Sequence, residues 1–223
     1  MTMGDSKARW WFGLTAAAVA FGIVVNVVLA ATSTDGFFTS AAGRVFNVFC
    51  FFTIQSNLIV GITSLMLAID PRRTSTSFDT FRLIGIVAII ITGLVYHSVL
   101  RGLFDLESWA LVGDLFVHTV VPILAVVGWL IYGPRGRVSR RIMWLSLLFP
   151  LWWFAFALIR GPIADYYPYP FVDVIRLGYP KVLINAVWLG VLYLAVAAGL
   201  VALDGWLAKI QSLTAAAGTD ALP

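Results

Sequence analysis

The chain has 223 residues, 61% of them hydrophobic and only 12% charged, with a mean hydropathy of +0.93. A soluble domain carries about a quarter charged residues, so these values exclude a soluble fold and leave no module for nucleic acid. The formal charge of +4 needs only basic residues at the ends of membrane helices, and the single cysteine, Cys50, allows neither a disulfide nor a thiolate metal site.

A membrane-spanning helix takes roughly 20 apolar residues. Six stretches qualify in chain order: Trp10–Ala31, Phe46–Ala68, Phe81–Leu100, Ala110–Tyr132, Ile142–Ile159 and Val182–Leu203. The pattern predicts an all-α, polytopic six-transmembrane-helix bundle over residues 1–210, followed by a flexible tail over 211–223. Lys7 and Arg9 ahead of the first run, and small residues at its end, imitate a signal peptide. Its apolar run exceeds the usual signal-peptide core, so an uncleaved helix is expected.

Orientation follows from the basic residues. With the N-terminus inside, ten of them (Lys7, Arg9, Arg72, Arg73, Arg82, Arg135, Arg137, Arg140, Arg141 and Lys209) fall on the inner side. Five (Arg44, Arg101, Arg160, Arg176 and Lys181) fall on the outer side. Basic residues concentrate on the cytoplasmic side of membrane proteins, so both termini are expected to be cytoplasmic. The inner connections around Asp70-Pro71-Arg72-Arg73 and Gly133-Pro134-Arg135-Gly136-Arg137 read as plain polar turns. The outer connection from Arg160 to Phe171 is rich in tyrosine and proline, which suits either a rigid cap over the helix ends or an interfacial anchor.

The second span contains a polar knot, Thr53-Ile54-Gln55-Ser56-Asn57. Lipid offers such groups no partners, so they face other helices or a wet cavity. At about 1.5 Å of rise per residue, Thr53 lies roughly 10 Å below the outer end of its helix and His118 of the fourth span roughly 12 Å below its own. Asn26, His97 and Asn185 lie in the same outer half, whereas the inner half shows fewer polar side chains. A hydroxyl and an imidazole at one depth are the minimum parts of nucleophilic catalysis. Gln55, Ser56, Asn57 and Asn26 are candidate donors to a developing oxyanion.

Asp114 precedes His118 by one turn and is a candidate to orient the imidazole, although helical i to i+4 spacing is loose for a direct bond. Pro122 removes the helical partner of the His118 carbonyl and is expected to bend the helix there. Arg101 and Arg160, at the outer ends of their helices, are candidates for a lipid headgroup or a substrate carboxylate.

Three pieces of sequence resemble a known family: Phe51-Phe52-Thr53-Ile54, His118-Thr119-Val120-Val121-Pro122 and Tyr169-Pro170-Phe171. They resemble the androgen-induced-gene family of integral membrane proteins and its bacterial six-helix relatives. Eukaryotic members of that family hydrolyse fatty acid esters of hydroxy fatty acids with a threonine and a histidine. The resemblance implies Thr53 as nucleophile, His118 as base, a membrane lipid ester as substrate and no cofactor. The bacterial relatives imply a bacterial cytoplasmic membrane as the location, and the cluster of polar residues in the outer half is expected to form a pocket toward the outer side. Two other readings fit the same residues. One is a non-catalytic lipid-binding protein or transporter. The other is a b-type haem protein using His97 and His118 as axial ligands.

Overall fold

The computed structural model describes residues 3–103 and 105–219, with side chains described as far as Thr214. Among these there is no strand, and six helical stretches are long and apolar enough to cross a membrane: Met3–Thr32, Phe52–Ile69, Thr76–Leu100, Ser108–Tyr132, Arg140–Ala164 and Val174–Thr214. The fold is an all-α, six-helix membrane bundle.

The elements follow from local chemistry. Helix α1 spans Met3–Thr32. Ser40 starts α2 (Ala41–Cys50), its hydroxyl accepting the Gly43 N–H at 3.1 Å. Helix α3 covers Phe52–Ile69, and Ser75 caps α4 (Thr76–Val95) by accepting from the Phe78 N–H at 3.1 Å. Serine suits these positions because its oxygen satisfies a first-turn amide that has no helical partner. A π-helical turn, Tyr96–Leu100, continues α4. Helix α5 (Ser108–Leu115) runs through a second π-turn, Phe116–Val120, into α6 (Val121–Tyr132). Helices α7 (Arg140–Ser146) and α8 (Leu148–Ala164) form the fifth span, and α9 (Val174–Thr219) the sixth.

Helix α1 packs on α3 where a Cβ at Gly61 would meet Val19 Cγ1 at 2.8 Å. Small residues let membrane helices approach in this way. The core runs through Val19, Val60, Val87, Val117, Val121 and Ala197. Large apolar side chains such as Trp10, Ile62, Ile123 and Trp188 cover the outside, as a lipid-facing surface requires.

Four features depart from the linear reading. The second span is broken: Phe51 is extended (φ −74°, ψ 136°) between α2 and α3, at a point marked by neither glycine nor proline. The connection between the fifth and sixth spans is shorter than expected, because α8 continues through Arg160 and Pro162 to Ala164 and ends on a left-handed Asp165 (φ 51°). The sixth helix begins at Val174 and kinks at Gly178, whose φ of 73° suits glycine. It continues as helix through Thr219, while 220–223 of the expected tail lie outside the described residues.

The fourth departure concerns the end that the charge count assigns to the inside, where fewer polar side chains were expected within the bundle and charged ones are buried. Asp79, Arg82 and Asp204 are all buried. Asp204 Oδ2 accepts the backbone N–H groups of Arg137 and Val138 at 2.9 and 3.0 Å. Arg82 lies 5.0 Å over the Phe12 ring and Arg135 lies 5.2 Å over Trp129. The Gly133–Arg137 turn is therefore folded onto the bundle rather than solvated.

Candidate active site

The break at Phe51 places Thr53 in the first turn of α3, inside the membrane-spanning region. First-turn amides have no helical acceptor, and lipid supplies none. The Thr53 N–H donates instead to the hydroxyl of Tyr169, 3.1 Å away, which comes from the 165–173 connection. The same hydroxyl lies 3.1 Å from Thr53 Oγ1. Tyr169 is held by a stacked Phe171 ring (5.2 Å between centroids), an edge-on Phe51 (5.5 Å) and Trp153 (5.6 Å). The Trp153 indole in turn donates to the Cys50 carbonyl at 3.0 Å, at the end of α2.

On its other side Thr53 Oγ1 is 3.3 Å from His118 Nε2. His118 Nδ1 is 2.9 Å from Asp114 Oδ1 and 3.2 Å from the Asp114 carbonyl. The Tyr96 hydroxyl donates to Asp114 Oδ2, and its ring stacks on the imidazole at 4.0 Å and 10°. Because an ionised carboxylate only accepts, Nδ1 carries the proton and Nε2 is left as an acceptor for the Thr53 hydroxyl. The chain of donation then closes: Thr53 N–H to Tyr169, Tyr169 O–H to Thr53 Oγ1, Thr53 O–H to His118, and His118 with Tyr96 to Asp114.

The direct Asp114–His118 bond, unexpected from helical spacing, forms where α5 runs into the π-turn at Phe116–Val120. There the Val121 N–H bonds the Phe116 carbonyl five residues back. In that register the group that would serve the Val117 carbonyl is residue 122, a proline with no N–H. The Val117 carbonyl is thus left without a helical donor. Asn57 Nδ2 satisfies it at 3.1 Å and also donates to the Thr53 carbonyl at 2.8 Å. Both amide hydrogens of Asn57 are therefore committed to the frame, leaving none for an oxyanion.

The other sequence candidates divide in the same way. Ser56 Oγ lies 2.9 Å from the Thr53 carbonyl and 3.0 Å from Thr92 Oγ1. Gln55 donates to the Phe49 carbonyl at 3.0 Å, across the helix break. Asn26 bonds back to Gly22 in its own helix at 2.8 Å, and Asn185 donates to the Phe171 carbonyl at 2.8 Å, steadying the segment that carries Tyr169. His97 is exposed and contacts Thr119 at 3.1 Å. Both ring nitrogens of His118 face protein groups, which does not suit axial ligation of haem iron. No cluster of three His, Cys, Asp or Glu converges among the described residues. Arg160 donates to Asn47 at 2.9 Å and lies 5.4 Å over Phe38 and 5.8 Å over both Phe46 and Tyr166. Arg101 is exposed just beyond the first π-turn.

Beside Thr53 lies a cavity of about 140 Å³ between α4, α8 and α9, and His118 does not line it. Ile91, Val95, Phe154 and Leu189 line it, Thr53 and Tyr169 reach its wall, and no charged residue does so among those described. Sequence reasoning missed Tyr169, Tyr96 and Thr92 as members of the site. The Tyr169-Pro170-Phe171 stretch was the one available signal, since proline rigidifies the chain beside the tyrosine. Compared with family models, with curated proteins and with solved structures, the chain matches none of them.

Proposed function

We propose that this protein is an intramembrane lipid ester hydrolase in which Thr53 is the nucleophile, His118 the general base and Asp114 the group that orients the base. One observation carries the reading: Thr53 Oγ1 stands 3.3 Å from His118 Nε2 while Nδ1 of the same ring stands 2.9 Å from a carboxylate oxygen. A threonine hydroxyl is a weak nucleophile at its free pKa and needs an adjacent base within about 3 Å. The carboxylate behind the ring holds the required tautomer and stabilises the imidazolium as it forms. The same reading is implied by the resemblance of the Thr53 and His118 segments to the androgen-induced-gene family. Fatty acid esters of hydroxy fatty acids are accordingly the substrate class to try first.

The uncharged cavity fits an aliphatic acyl chain with its carbonyl at Thr53. His118 Nε2 takes the Thr53 proton as Oγ1 bonds to the carbonyl carbon. The leaving alcohol then receives that proton, and water hydrolyses the acyl-threonine with His118 again as base. In lipid nanodiscs, a fluorophosphonate is expected to add its mass to Thr53, and turnover of a long-chain fatty acid ester is expected to fall at least 10²-fold in T53A and in H118A. Turnover equal to wild type in either variant refutes the assignment. The apolar cavity also supports a second reading, non-catalytic lipid binding. Retention of a long-chain ester by T53A, with no hydrolysis by wild type, favours that reading.

A further inference from the structure

Tyr169 has no part in the mechanism so far, yet its hydroxyl lies closer to Thr53 Oγ1 than His118 does, at 3.1 against 3.3 Å. The same hydroxyl is 3.1 Å from the Thr53 amide nitrogen. Attack of a hydroxyl on an ester places negative charge on the former carbonyl oxygen, and acyl transfer depends on donors already aimed at it. The side chains that sequence nominated for this task bond elsewhere: Asn57 with both amide hydrogens to backbone carbonyls, Ser56 to the Thr53 carbonyl, Gln55 to Phe49 and Asn26 to Gly22.

We infer that Tyr169 is a catalytic residue whose hydroxyl donates to the oxyanion formed when Thr53 is acylated, with the first-turn amide of α3 as its partner. The inference rests on Thr53 being the nucleophile. An oxygen on the carbon that bonds to Oγ1 falls within reach of a donor already touching Oγ1. Tyr169 reaches the wall of the cavity beside Thr53, so an acyl chain lodged there brings its carbonyl to this hydroxyl. The helix break at Phe51 exposes the Thr53 N–H at the positive end of a helix, which favours developing anionic charge. Burial pushes the Tyr169 hydroxyl up to about 12, against the pull of the Thr53 side chain and amide, so it is a neutral donor at physiological pH. It is 8% exposed, and a donor shielded from water acts more strongly than one in solution.

The step balances without another reactant. The Thr53 Oγ1–carbon bond forms, the hydroxyl proton passes to His118 Nε2, and the carbonyl π pair moves onto oxygen. The Tyr169 O–H turns from Oγ1 to that oxygen and keeps its proton. On collapse the pair returns to the carbonyl, the bond to the leaving oxygen breaks, and that oxygen takes the proton from His118.

Y169F in nanodiscs is expected to lower kcat by about 10²–10³-fold, with KM changed less than threefold. The end-point stoichiometry of fluorophosphonate on Thr53 stays at the wild-type value. A long-chain trifluoromethyl ketone, whose adduct carries the oxyanion, is expected to lose affinity by the same factor as kcat/KM, while the matching ether binds as before. A kcat within threefold of wild type, or equal losses for ketone and ether, overturns the inference while leaving a labelled Thr53 as nucleophile. An unlabelled wild type with full turnover in T53A overturns both. If Y169F does not fold, Tyr169→3,5-difluorotyrosine keeps the shape and makes the hydroxyl more acidic. The alkaline limb of kcat then moves to lower pH, and a profile superimposable on wild type rejects the role.

Discussion

Asp114 shows how a single side chain acquires a role through its neighbours. One turn from His118 on a regular helix it is an ordinary acidic residue, and only the 2.9 Å contact makes it the acceptor that sets the imidazole tautomer. Tyr96 secures the other carboxylate oxygen and stacks on the ring, so the carboxylate and imidazole are both fixed. D114N preserves the shape but can offer its N–H₂ group to Nδ1 and favour the wrong tautomer. Its kcat for ester hydrolysis is expected to fall by about 10³-fold, within the range seen when an orienting acid is lost. Fluorophosphonate labelling of Thr53 slows in parallel, and wild-type rates for both remove Asp114 from the mechanism.

Two irregular elements build the site, the break at Phe51 and the π-turn before Pro122, and each creates unpaired backbone groups that a distant side chain satisfies. The Thr53 amide is met by Tyr169, and the Val117 carbonyl by Asn57. Such π-turns recur at functional sites because they redirect side chains at the cost of regular hydrogen bonding. Pro122 bars the regular register, since it lacks the N–H that would bond the His118 carbonyl. P122A restores that donor. It is therefore expected to leave the thermal midpoint unchanged or raised while lowering kcat by about tenfold or more, as His118 moves off its line to Thr53. A variant with unchanged kcat shows that the turn is held by packing alone.

Across the whole bundle, stability and chemistry are carried at different places. Thr53, His118 and Tyr169 meet at the end that charge distribution assigns to the outside, while Asp79, Arg82 and Asp204 are buried toward the other. Between them, close helix contact does the structural work, as at Gly61 against Val19. A valine at position 61 has no free volume to enter. G61V is expected to destabilise the bundle by about 1–3 kcal/mol, as overpacking does. Thermal unfolding in detergent measures this. A midpoint equal to wild type indicates that α1 and α3 can separate without loss.

Hydropathy is a one-dimensional property, so the six spans were legible from runs of apolar residues, and the common depth of Thr53 and His118 followed from helical rise alone. Polar residues within a lipid-soluble run had to turn inward, which marked the candidates around Thr53 and His118 from sequence. Nothing local could show which of those candidates serve the frame and which the chemistry. Asn57 is a donor to Val117 only because α3 packs beside the π-turn, 60 residues away in sequence. The extended Phe51 is tolerable only because Tyr169, 116 residues beyond Thr53, accepts the amide that the break exposes. An unpaired backbone group in lipid is unfavourable until its partner arrives, and the identity of that partner belongs to the packed bundle rather than to the chain.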